Sequence, residues 1–329
     1  MKSTCRSIRS LAVGGALLLA GVALPAAAED RLDLGFATSS SGGTGYMYAV
    51  AVATVVNANE PGIKITAFPS AGVIENDRLL RNGEAQLILH TGGQAYSSYM
   101  GEGKYPSAYK ELRALWPIYA SLIQIVVPAD SDAKRPGDLS DKRVGLGAPG
   151  SSANKHVRQV LEIEGLPDGK FRAQPNSLPE QVTALKDGKL DALSIIMGAS
   201  APALMDLATS RQARWLPLSE DTVAKLEAMN PPGAIVPVTI PANAYQGQAE
   251  PVPTVGLPIW VMTNAKLSDE AAERIVGTFF DRLKEAAEVH PVVNETTKDF
   301  LQGAKPPVPW HEGARKALEA RGYKLKAAQ

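Results

Sequence analysis

Leu32-Asp33-Leu34-Gly35-Phe36-Ala37-Thr38-Ser39-Ser40-Ser41-Gly42-Gly43-Thr44-Gly45-Tyr46-Met47 passes from alternating apolar residues through a Gly/Ser-rich turn into an apolar run. The pattern predicts a strand over 32–37, a loop over 39–46 and a helix from Met47 to Asn57. Such a turn leaves backbone N–H groups pointing out of the helix start, and the helix dipole adds partial positive charge. An anion can be held there without a basic side chain. The loop has neither the GxGxxG nor the GxxxxGK[ST] spacing, which excludes a dinucleotide or P-loop site. Read alone, the same residues serve equally well as an ordinary helix cap.

The cadence returns about a hundred residues later. Lys142 to Gly147 reads as a strand, Ala148-Pro149-Gly150-Ser151-Ser152 as a turn, and Ala153 to Glu164 as a helix. Within the first copy, Ile63–Phe68 and Gln86–His90 read as strands around a helix over Val73–Arg81. The stretches Leu79–Leu87 and Ala184–Ala192 then share one pattern, a helix closed by glycine and followed by an apolar strand. Two copies with long dissimilar flanks make two lobes, not a solenoid. The expected fold class is α/β, with mostly parallel sheets in two lobes that face each other across a cleft, where the carboxyl ends of the strands meet a ligand.

The boundaries are expected at 29–120 plus 254–329 for one lobe and 121–253 for the other. Leu115 to Val127 is apolar enough to cross between them, and Pro231 to Pro258, with seven prolines, suits an ordered return path. Amphipathic patterns over Asp269–Val289 and Glu312–Arg321 predict helices packed on the first lobe.

Composition narrows the function. The 329 residues are 45% hydrophobic, and 34 basic side chains balance 34 acidic ones, so no clustered positive charge is available for a nucleic acid. Lys2, Arg6 and Arg9 precede an apolar run from Leu11 to Leu24 and the small residues Ala26-Ala27-Ala28, a secretory signal pattern with the cut expected after Ala28. The single cysteine, Cys5, lies ahead of that run, so the exported chain is expected to rest on its core without disulfides.

Thr44, Tyr46, Ser151 and Ser152 are the candidate donors to a ligand. His90 and Met197 end the two echoed strands, and with Thr91 and Gly198 beside them their backbones are expected at the cleft floor. No HExxH, no Cys/His pairing and no GxSxG is present, so no metal, no cofactor and no catalytic constellation is expected.

Seven stretches of the chain belong together: Ser41-Gly42-Gly43-Thr44-Gly45-Tyr46, Glu75-Asn76, Arg78-Leu79-Leu80, Gly83-Glu84-Ala85, Val144 through Ser151, Leu185 through Ala192, and Ile240 through Gln248. In these stretches the chain resembles the TAXI-type solute-binding receptors of tripartite ATP-independent periplasmic (TRAP) transporters. The resemblance implies a hinged, two-lobed periplasmic binding protein of the type II kind that closes on a small organic acid. The acid would pass to a TRAP membrane permease driven by an ion gradient. Family ligands include glutamate, glutamine, and related dicarboxylates or oxo acids. The family's cleft loops fall on Ser41, Gly42, Gly43, Thr44 and Tyr46, and on Gly150 and Ser151.

Thr91-Gly92-Gly93 and Ser152-Ala153-Asn154 stand where the family carries Gln-Ser-Asp-like and Gly-Thr-Arg triplets, and Gly45 where it often carries an aromatic. Fewer polar groups at Thr91, Ser152 and Asn154 imply a larger or less polar acid, or a ligand recognised mainly through one carboxylate, rather than glutamate. A ligand-sensing subunit for a membrane signalling partner is the alternative that the same cleft would serve.

Overall fold

The computed structural model describes residues 31–39, 41, 44–147, 151–199, 202–210 and 212–328. The signal segment and three predicted site residues, Gly42, Gly43 and Gly150, lie outside the described residues.

The opening stretch forms β1 (Leu32–Ala37) and α1 (Thr44–Asn59), followed by β2 (Ile63–Phe68), α2 (Val73–Asn82), β3 (Leu87–Thr91) and α3 (Gly92–Met100). A 17-residue strand, β4 (Leu112–Pro128), leads out of this unit. Then come β5 (Arg143–Gly145), α4 (Ser152–Ile163), β6 (Arg172–Gln174), α5 (Leu178–Lys186), β7 (Leu193–Met197), α6 (Pro202–Ser210), β8 (Ala213–Trp215) and α7 (Glu220–Ala228). The proline-rich return is two strands, β9 (Val236–Ile240) and β10 (Val252–Asn264), and the chain finishes with α8 (Asp269–Asp281), α9 (Leu283–Val289), α10 (Lys298–Gly303) and α11 (Glu312–Ala320).

The echoed glycines end their helices as the pattern predicts. Gly83 (φ 77°) and Gly188 (φ 69°) take the left-handed conformation that only glycine adopts without strain. Gly83 N–H returns to Leu80 O, and Gly188 N–H to Leu185 O. The chain then turns into β3 in one case and towards β7 in the other.

The pairing corrects the expectation of mostly parallel sheets. β1 pairs in parallel with β2 and β3, and β5 with β6, but β10 with β3, β4 and β9, and β4 with β7 and β8, are all antiparallel. The cause is the double crossing: β4 carries the chain out and β10 brings it back alongside, so the two must run in opposite directions. One sheet in the order β2-β1-β3-β10-β4-β7 therefore runs through the molecule.

The buried apolar side chains divide along that sheet. One set draws on residues 34–118 and 260–318, the other on 120–257. The amphipathic face of α8 supplies Ile275, Val276, Phe279 and Phe280 to the first set, with Phe279 stacked on Trp116 of β4 at 5.3 Å between centroids. Fully burying side chains of this size stabilises by about 1.5–3 kcal/mol each. That burial holds the C-terminal helices on the first half, as their patterning predicts.

Candidate functional site

Two adjoining cavities open where the halves meet. The first, about 300 Å³, takes its walls from Thr91, Gly93, Gln94 and Tyr105 on one side and from Ser151, Ser152, Lys155 and His156 on the other. The second, about 410 Å³, also has Thr91, Ser151 and Ser152 in its wall, and continues past Leu257 to Leu178, Ile195 and Ile196.

Two helix starts converge on the first cavity. α4 begins at Ser151, whose hydroxyl accepts from Asn154 N–H at 3.2 Å, so this serine does cap its own helix while lining the cavity. α3 begins at Thr91, whose own hydroxyl makes no cap hydrogen bond to its first N–H groups. Both dipoles therefore place their positive ends on one space. Lys104 and Lys155 line it as well, against one carboxylate, Glu102. Asn230 is also in this wall, 9% exposed, and its Oδ1 has no partner among the described residues. Burial keeps the His156 imidazole neutral by lowering its pKa, with Nδ1 2.8 Å from Ser152 O.

α3 is the element that sequence reasoning missed. Gly92 and Gly93, directly after the strand, open a helix. A Cβ on Gly92 would stand 2.0 Å from the Gly233 carbonyl oxygen, and one on Gly93 would stand 2.9 Å from Ala234 Cβ. The absence of side chains here lets the 233–234 segment close against the α3 N-terminus.

Of the predicted site residues, the structure brings Thr91, Ser151 and Ser152 together. Ser41, Thr44 and Tyr46 line neither of these two cavities. Asn154 also stands outside their walls; its side chain donates to Gly147 O at 3.3 Å and accepts from Arg158.

His90 lies one layer behind, fully buried. Its Nδ1 is 3.2 Å from Thr91 O, and its Nε2 faces the Tyr105 hydroxyl at 3.5 Å and Asp77 at 4.0 Å. Asp77 is itself held by Arg81 and Ser98. Burial is the largest influence on His90 and pushes its imidazole down to about 4, outweighing the opposite pull of Asp77. It supports the wall through Tyr105, whose hydroxyl donates to Gln94.

Met197 and Gly198 are partly exposed, but their carbonyls are taken. Gln124 Nε2 donates to both, at 3.3 and 3.2 Å. Its Oε1 accepts from Trp215 Nε1 and the Tyr245 hydroxyl, whose rings stack at 4.2 Å. Among the described residues no group of three His, Cys, Asp or Glu side chains could hold a metal ion.

Two solved structures share this architecture. The periplasmic sulfonate-binding protein SsuA from Methylobacillus flagellatus KT matches with 16% identity and a TM-score of 0.53, covering 92% of this chain and 90% of that one. A TctC solute-binding protein from Polaromonas matches with 15% identity and a TM-score of 0.52, covering 91% of each. At these identities the likeness is one of fold, the two-lobed α/β fold of periplasmic solute-binding proteins. In sequence the chain matches the NMT1-like family over residues 36–322, and it belongs to that family.

Proposed function

We propose that the protein is the extracytoplasmic solute-binding subunit of a TAXI-type TRAP transporter, holding a small organic acid between its lobes and delivering it to a membrane permease. The observation that supports this best is the meeting of the α3 and α4 N-termini, at Thr91 and Ser151, on one cavity that also carries Lys104 and Lys155. Charge-assisted hydrogen bonds contribute about 1.5–3 kcal/mol each, so three or four backbone donors would hold one carboxylate. The lobes divide at 29–120 plus 254–329 and 121–253, with β4 and β10 as the hinge, and ligand favours the closed form by binding it better than the open one. A periplasmic location follows from the signal pattern and a binding fold, and no turnover of the ligand is expected.

Calorimetric titration of the purified protein with acetate, succinate, 2-oxoglutarate and L-glutamate tests the reading. At least one acid should bind one to one, and Ser151→Trp, which fills the shared wall, should abolish that binding while the thermal transition confirms a folded variant. Retained affinity in that variant would remove the site, and silence of the wild type towards these acids and towards longer-chain monocarboxylates and sulfonates would overturn the reading.

A further inference from the structure

The second cavity differs chemically from the first. Leu178, Ile195, Ile196, Leu257 and Ile259 line it, with no charged side chain among its described lining residues. Two of its polar side chains are already engaged, since Gln181 accepts from Ser194 N–H at 3.0 Å and donates to Asn176 O at 3.1 Å, and the Ser177 hydroxyl donates to Glu180 at 2.8 Å; the rest of its polar lining is neutral, the hydroxyls of Thr91, Ser121, Ser151 and Ser152. A dicarboxylate or an amino acid reaching into this space would place its second charge where no described lining residue offers an ion pair, which is unfavourable. Yet the space joins the charged cavity, since Thr91, Ser151, Ser152 and Leu257 belong to both walls.

We infer that the ligand is an amphiphilic monoanion, its acidic head at the α3 and α4 N-termini and its hydrocarbon body in the chamber of Leu178, Ile195 and Ile196. This rests on the solute-binding reading and specifies the class of solute. Selectivity then has two sources. The helix ends and lysines select one negative charge, and the apolar chamber rejects a second polar end while rewarding each methylene removed from water.

Titrations with butanoate, hexanoate and octanoate, beside glutarate and L-glutamate, test the inference. Each added methylene should tighten binding roughly fourfold until the chamber is full. Ile196→Thr and, independently, Leu178→Ser should flatten that series, weakening octanoate about tenfold while leaving butanoate within about twofold. Hexane-1-sulfonate and octane-1-sulfonate run in parallel distinguish a carboxylate head from a sulfonate head, and a chain-length slope in either series supports the inference. Tighter binding of glutarate or glutamate than of octanoate would overturn it while leaving the solute-binding reading intact. Silence towards every acid would remove both.

Discussion

The corners after β3 and after β7 occupy matching places in the two echoed units, and they do opposite things. At Thr91 the chain enters a helix at once, offering N–H donors to the cavity, with the strand's histidine, His90, buried behind. At Met197 the carbonyls face Gln124, which links them to the Trp215 and Tyr245 stack. One corner is a donor surface and the other a tied-off acceptor. The difference arises from neighbours distant in sequence: the 233–234 segment presses on one corner, and Gln124 of β4 closes the other.

The sharpest way to break this comparison is Gln124→Leu. It takes a hydrogen bond from the Tyr245 hydroxyl and leaves the Trp215 indole N–H and the Met197 and Gly198 carbonyls without the Gln124 amide, each orphaned buried group costing about 1–3 kcal/mol before relaxation. A total loss of about 3–5 kcal/mol in unfolding free energy by chemical denaturation is expected. A loss below about 1 kcal/mol would show that the Met197 corner is held by something other than Gln124.

The Thr91 corner carries a titratable group that the Met197 corner lacks. His90, at about 4 in the folded protein, binds its proton less readily than in an unfolded chain, where the ordinary value is about 6.5. The unfolded state therefore holds more protons between those values, so stability rises with pH across that window. The stabilising contribution is complete above about pH 6.5 and is lost as pH falls towards 4, up to about 3 kcal/mol in all. Thermal or denaturant unfolding from pH 7 to 4 should fall more steeply for the wild type than for His90→Gln, while His156 contributes to both and cancels in the difference. Parallel profiles would mean that His90 does not gain a proton on unfolding.

The sequence made the echo legible because glycine at 83 and 188 has one conformational reason to be there, and because strand and helix periods are local properties. The C-terminal helices could be read for the same reason: an apolar stripe must be covered. The sheet's direction could not, since antiparallel pairing of β4 with β10 follows from a return crossing more than a hundred residues away. Ser151 lines both cavities, and a helix start of this kind shows itself locally. Ser41, Thr44 and Tyr46 carry the same local signal, but do not line the two cavities at the junction. Local chemistry cannot say which of several helix starts the fold turns towards the opposite lobe. His90 and Met197 stand at the ends of β3 and β7, and burial and Gln124 decide what each can touch.

A matched pair of small substitutions separates the corners most finely. Gly92→Ala places a methyl 2.0 Å from Gly233 O, whereas a Cβ on Gly198 meets nothing within 4 Å among the described residues. Backbone must move at the first site and at the second it need not, so Gly92→Ala should cost about 1–3 kcal/mol and Gly198→Ala less than about 0.5 kcal/mol by denaturant unfolding. The displaced 233–234 segment borders the first cavity through Ala234, so Gly92→Ala should also weaken acid binding and Gly198→Ala should leave it unchanged. Equal effects from the two would mean that the 233–234 segment yields freely, and that the bareness of the Thr91 corner serves something other than this close approach.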